Sequence, residues 1–108
     1  NRIFDISEKT QETIEKDGYS IIRALVGHGV GRFLHEEPQV PCFTSGEKEK
    51  SPEILEGMVL AIEVMYSQGT SDVVKEADGW TISTSDGKIS ALFEETVAVT
   101  NRGPLVLT

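Results

Sequence analysis

The sequence predicts an α+β fold, with one helix at the amino-terminal end followed by a largely antiparallel sheet. Three observations predict it: a helical start with capping residues over residues 1–16, apolar strand-like stretches further on, and glycine-containing turn dipeptides between those stretches. In the first segment Asp5, followed three residues later by Glu8, forms a capping-box pattern, with Ser7 as a competing cap. Gly18 supplies a residue able to turn left-handed at the helix end.

Residues 19–26, rich in Ile, Leu and Val, suit a buried strand. Gly27-His28-Gly29-Val30-Gly31 then reads as a glycine-dense turn that interrupts regular structure. Residues 38–52 hold Pro, Gly, Ser and a run of charges, and are expected to form an exposed loop with the charges solvated. After a Glu56-Gly57 turn, residues 58–66 form a second apolar strand with Glu63 embedded in it. Asp78-Gly79 and Asp86-Gly87 flank a polar–apolar alternation from Trp80 to Thr84, where hairpins are expected. Residues 90–100 make a longer strand, and a turn at 101–104 leads into a last one at 105–107.

Composition narrows the function. A chain of 108 residues suits one domain, and 38% hydrophobic with 26% charged residues fits an ordinary globular protein. A formal charge of −8 argues against nucleic-acid binding, which leans on clustered Lys and Arg. No apolar run approaches the roughly 20 residues that a membrane span requires. No charged-then-apolar signal segment opens the chain. One cysteine, Cys42, excludes an internal disulfide and fits a reducing cytoplasm; it reads as a small loop residue and not as a catalytic thiol.

Three features stand apart from a plain core. Both histidines, His28 and His35, fall within residues 27–40, and glycines flank His28, letting backbone or a ligand approach its ring. The plain alternative for His28 is a hydrogen-bonded core residue. Strand alternation puts Ala61, Glu63 and Met65 on one face, where a carboxylate needs a cation or hydrogen-bond donors unless that face meets solvent. Glu94 and Glu95 lie mid-strand and point to opposite faces, so at most one joins a site. One His and two Glu converging from separate strands would suit a divalent metal.

These pieces, taken together, resemble the type I methionine aminopeptidases, whose fold is called the pita bread. Asn1-Arg2-Ile3-Phe4-Asp5-Ile6-Ser7 is similar to the start of that family's last long helix. Residues 27–40 resemble its Gly-His-Gly block ending in His-Glu-Glu-Pro. Glu56-Gly57-Met58 with Ile62-Glu63, Asp78-Gly79-Trp80-Thr81, Ser90-Ala91 and Phe93-Glu94-Glu95-Thr96-Val97 complete the set, so the likeness covers essentially the whole chain. Phe33-Leu34 replaces the commoner Gly-Phe pair and Val64 replaces the usual Pro, changes that bear on the pocket contour more than on ligation.

The resemblance implies a hydrolase that removes the initiator methionine from nascent polypeptides in the cytoplasm, with no nucleic acid or membrane as partner. It implies two divalent ions (Co, Mn, Fe or Zn) sharing a water or hydroxide that attacks the first peptide bond. His28 and Glu63 match ligands of one ion, and Glu94 matches the bridge between the two. His35 matches the histidine that steadies the reacting carbonyl, Glu63 also matches the residue that moves the proton, and Leu34, Trp80 and His35 match substrate contacts. The family draws two further aspartate ligands from a hairpin that precedes everything seen here, and neither Asp5 nor Asp17 matches them. Residues 1–108 are therefore expected to be the C-terminal part of the catalytic domain, inactive alone and completed by the missing N-terminal half or another chain. The other readings are a pita-bread binding module without catalysis, a related peptidase cleaving before proline, and a structural fragment.

Overall fold

The computed structural model describes residues 1–108. Helix α1 spans Ile3–Lys16, and eight strands follow: β1 (Ser20–Ile21), β2 (Gly27–Gly29), β3 (Glu36–Val40), β4 (Val59–Ser67), β5 (Val73–Lys75), β6 (Ile82–Thr84), β7 (Ser90–Thr100) and β8 (Gly103–Val106). The α+β expectation is met, and every strand pairing is antiparallel. No helix is long and apolar enough to cross a membrane.

The helix starts differently from the sequence expectation. Its cap is Arg2, in extended backbone, whose N–H donates to the Asp5 carboxylate at 2.8 Å. Asp5 is therefore the third helical residue, Glu8 plays no part in the cap, and Ser7 lies inside the helix. The reason is tertiary. Ile3 N–H donates to the Pro52 carbonyl and Phe4 N–H to Ser51 Oγ, each at 2.9 Å, so a distant loop satisfies the first-turn donors that a local cap would otherwise take. Ser7 is 3% exposed and donates to the Pro41 carbonyl at 2.6 Å. The helix ends as expected, with Gly18 at φ +82°.

Asp5 also meets Lys48, whose ammonium lies 2.5 Å from its carboxylate. That hydrogen bond, with the one from the Arg2 backbone, holds the Asp5 carboxyl below its ordinary range. A carboxyl lowered on folding contributes stability at neutral pH and loses it as pH falls through the folded value. Asp5→Asn is accordingly expected to lower the thermal midpoint by a few degrees at neutral pH. The difference should close in acid; an equal loss at both pH values would assign it to packing and not to charge.

Strand β4 is the centre of the sheet. One edge pairs with β7 along its whole length, from Val59 opposite Ala98 to Ser67 opposite Ser90. Its other edge carries β2 near the start, with His28 opposite Ala61, and β1 near the end, with Ser20 opposite Ser67. Strand β3 extends the sheet outside β2, and β8 does so outside β7. Ile3, Val40 and Leu60 form the core, with Ile6, Ile54, Met58, Ile62 and Val99 packed around them, so α1 covers the face to which Leu60 and Ile62 point. Alternation turns Ala61, Glu63 and Met65 to the opposite face.

Several expected boundaries move. Only Ser20–Ile21 of residues 19–26 is strand; Ile22, buried beside Cys42, makes one further backbone hydrogen bond to β4, its N–H donating to the Met65 carbonyl at 2.9 Å. The Gly27–Gly29 segment is strand and not turn: a Cβ at Gly27 would run into the Ala61 carbonyl oxygen, so glycine lets two backbones lie together. Strand β3 takes the first part of the expected 38–52 loop, whose remainder holds a 3₁₀ turn at Lys48–Lys50 with its charges exposed. The Asp78-Gly79 turn joins β5 to β6 in a hairpin, whereas the Asp86-Gly87 turn leads into β7 without pairing it to β6. The last strand starts earlier than expected, at Gly103, and Pro104 is tolerated there because β8 is an edge strand. Cys42 is 2% exposed, and burial pushes its thiol pKa up, which suits an inert residue.

Candidate metal centre

The face opposite the helix gathers most of the residues singled out in the sequence. Glu63 on β4 and Glu94 on β7 are direct cross-strand partners, so their side chains leave the same face side by side. Glu95, opposite Ile62, goes to the other face. His28 stands opposite Ala61, which makes it a diagonal neighbour of Glu63 on that face. His35 comes from the loop between β2 and β3, and its ring centroid lies 4.2 Å from that of His28, inclined by 54°.

The histidine has a defined orientation. Nδ1 of His28 is 2.8 Å from the Gly29 carbonyl oxygen, which can only accept, so Nδ1 carries the proton. In the neutral ring that leaves the lone pair on Nε2, the form in which imidazole binds a metal.

The carboxylates lack compensation. The chain's three ion pairs join Arg2 to Glu53, Lys48 to Asp5 and Lys50 to Glu47, all away from Glu63 and Glu94. Burial and then the charge of Glu94 push the Glu63 carboxyl above its ordinary range, while His28 and His35 pull it back. Like charges directly opposed in a sheet are destabilising, and a cation between them would remove both penalties. Two carboxylates and a neutral imidazole are also the donor set that divalent ions of borderline hardness accept. Within this chain alone, however, no three His, Cys, Asp or Glu side chains are arranged to hold a metal ion. The donors fit in kind and in placement on one face, and the coordination sphere is not assembled.

The two remaining sequence candidates are not gathered with them. Leu34 precedes His35 in the same loop and is 72% exposed. Trp80 follows the Gly79 turn between β5 and β6 and is 86% exposed. Sequence reasoning missed an apolar cleft of about 400 Å³ lined by Ile22, Leu25, Met65, Val73, Ile82 and Leu92. Met65 and Leu92 continue the strand positions of Glu63 and Glu94, so the cleft adjoins the carboxylates. Its signal in the sequence was the shared face of Glu63 and Met65; its roof, from the β5–β6 hairpin, had none.

The sequence of residues 1–101 matches the model of metallopeptidase family M24. The chain belongs to this family. Across its full length this M24 chain is 48% identical to the methionine aminopeptidase of Clostridium perfringens, of which it covers 43%. It is 47% identical over 107 residues to that of Aquifex aeolicus, of which it covers 42%. Among solved structures, methionine aminopeptidase from Thermotoga maritima superposes with a TM-score of 0.91 at 45% identity, over 97% of this chain and 41% of that one. The enzyme from Rickettsia prowazekii superposes with a TM-score of 0.89 at 34% identity, over 97% and 42%. The M24 fold is thus the α+β arrangement expected from the pita-bread resemblance. The chain spans about two-fifths of the length of the relatives it matches. Membership of a metallopeptidase family implies divalent metal.

Proposed function

We propose that this chain carries the C-terminal part of the catalytic domain of a methionine aminopeptidase, which removes the N-terminal methionine from nascent polypeptides in the cytoplasm. The observation that carries the reading is the in-register pair Glu63–Glu94, with His28 diagonal to Glu63 on the same face and His35 against it. Close likeness to enzymes of that name along the whole chain supports it. His28 and Glu63 would hold one divalent ion (cobalt, manganese, iron or zinc) and Glu94 would bridge to a second. When bound, the ions supply Lewis acidity and an activated water.

The chain's own groups do the rest. Glu63, its carboxyl already drawn upward, accepts a proton at its carboxylate oxygen and passes it to the departing amine. His35 donates a hydrogen bond to the carbonyl oxygen as negative charge grows there. Leu34 and Trp80 wall the methionine side chain, from positions that further polypeptide would enclose. The remaining ligands, two aspartates by resemblance to the family, come from outside this chain, which alone holds an incomplete site.

The test is release of methionine from a Met-Gly peptide by the full-length protein, with Mn²⁺ or Co²⁺ added and a chelator control. Chelator-sensitive release is expected. Cleavage of an Ala-Pro peptide in its place would assign the proline-directed peptidase, and no cleavage of either would assign a binding module.

A further inference from the structure

The loop that delivers His35 is held by its own neighbour. Residues 30–35 bridge β2 and β3 without regular structure, and Phe33 and Leu34 project into solvent, so neither side chain anchors the loop through packing. Its first residue is tied to β4, Val30 N–H donating to the Val59 carbonyl at 2.8 Å; beyond that point the side chain that holds the loop is Glu36. Oε1 of its carboxylate accepts the Phe33 N–H at 3.1 Å, and that hydrogen bond closes a ring in which Leu34 and His35 are the intervening residues. The Gly31 N–H donates to the Phe33 carbonyl, also at 3.1 Å, which ties the preceding turn to the same peptide. The backbone of Glu36 is itself set by the sheet, opposite Gly29, at the point where the β2–β3 register shifts.

Gly31 belongs to the same device. A Cβ there would occupy the space of the Glu36 carboxylate, colliding with Oε2. The glycine thus leaves room for the carboxylate to fold back under the loop. At the far end of the arrangement the His35 ring rests against His28, 4.2 Å between centroids. A ring closed by a carboxylate, seated on a strand and facing a glycine, is a way to hold one imidazole at a set place on an otherwise unpacked loop.

We propose that Glu36 is a positioning residue for His35: its carboxylate, seated beside Gly31 and bound to the Phe33 N–H, sets where the His35 imidazole stands over the Glu63–Glu94 face. The proposal rests on the function above, in which His35 touches the reacting carbonyl. Displacing a reacting group by about an ångström costs on the order of 100-fold in rate. Most of that loss should fall on kcat, because the contact of His35 strengthens as charge develops.

The experiment is a mutant cycle in the full-length protein, reading methionine release and the His35 imidazole NMR signals. Glu36→Ala should lower kcat by about 30-fold with little change in KM, and Glu36→Gln, whose amide oxygen can still accept the Phe33 N–H, should restore most of it. Gly31→Ala, which evicts the carboxylate by another route, should reproduce the loss. In a His35→Ala background, Glu36→Ala should cost almost nothing further, since two residues acting through one contact are not additive. Additive losses, or a Glu36→Gln as poor as Glu36→Ala, would overturn the proposal. Should His35→Ala itself leave turnover unchanged, the role given to His35 fails, and the positioning is judged from the NMR signals alone. Those signals should move in Glu36→Ala and hold in Glu36→Gln; signals unmoved in both overturn it.

Discussion

His28→Ala is expected to lower metal-dependent methionine release by the full-length protein by more than about 100-fold, since even groups that only support a metal ligand typically cost 10–100-fold. The imidazole keeps Nε2 free for a metal because its other nitrogen is committed to the Gly29 carbonyl, and His28 stands diagonal to Glu63 on the same face. Alanine removes that donor and adds no new bulk. The fold should survive, because strand β2 is held by backbone pairing to Ala61 and Gln39, and His28 takes no part in the Ile3, Val40 and Leu60 core. Rate and thermal midpoint measured together separate the two effects. A rate within about threefold of the parent would remove His28 from the ligand set, since loss of a real ligand costs far more than that. A collapsed midpoint would make the strand, and not the ligand, the cause.

Gly27→Ala should be the reverse case, a large loss of stability arising one residue away. The added methyl would meet the Ala61 carbonyl oxygen, with the Val40 carbonyl at 3.0 Å and the Glu63 amide nitrogen at 3.3 Å. All three are backbone atoms of flanking strands, which cannot rotate away as a side chain would. The strands must part, at an expected cost of about 3 kcal/mol, near the upper end for overpacking. Against a total stability of about 5–15 kcal/mol that is a large fraction, and it would show as a lower midpoint of chemical denaturation with an unchanged slope. A change under about 0.5 kcal/mol, the range of a neutral surface substitution, would mean that β2 is free to shift.

These two neighbours show what the sequence disclosed and what it hid. Glycines around His28 announced a close approach, and one exists, but the approaching group at Gly27 is backbone. The same glycines, poor strand formers by propensity, made a strand look like a turn. Strands β4 and β7 were legible because residues suited to strands cluster in each and turn residues flank them. Their register was not, since the chain wanders through the β5–β6 hairpin between them and no tight turn fixes the pairing. Alternation could say that Glu63 and Met65 share a face; only the pairing of β4 with β7 decides that Glu94, and not Glu95, stands beside Glu63. Arg2 as helix cap was hidden for a related reason, its stabilising partners lying in the loop at Ser51 and Glu53. The family likeness selected His28, His35, Glu63 and Glu94 from the chain's many polar groups, a choice that spacing alone left open.

The β4–β7 ladder also has a bearing on the order in which the molecule takes shape. It joins strands separated by a long excursion of chain, so its closure entropy must be met before pairing returns anything, and such ladders form slowly. The pair Ser67–Ser90, nearest to the excursion, requires the shortest loop, and zipping would proceed from there toward Val59–Ala98. Glu63 and Glu94 meet midway along that path, after the helix and the β5–β6 hairpin have had time to form from local contacts. Two carboxylates are thereby brought together only once the Ser67 half of the ladder is paired, and their repulsion opposes the middle of that zipping and not its first step.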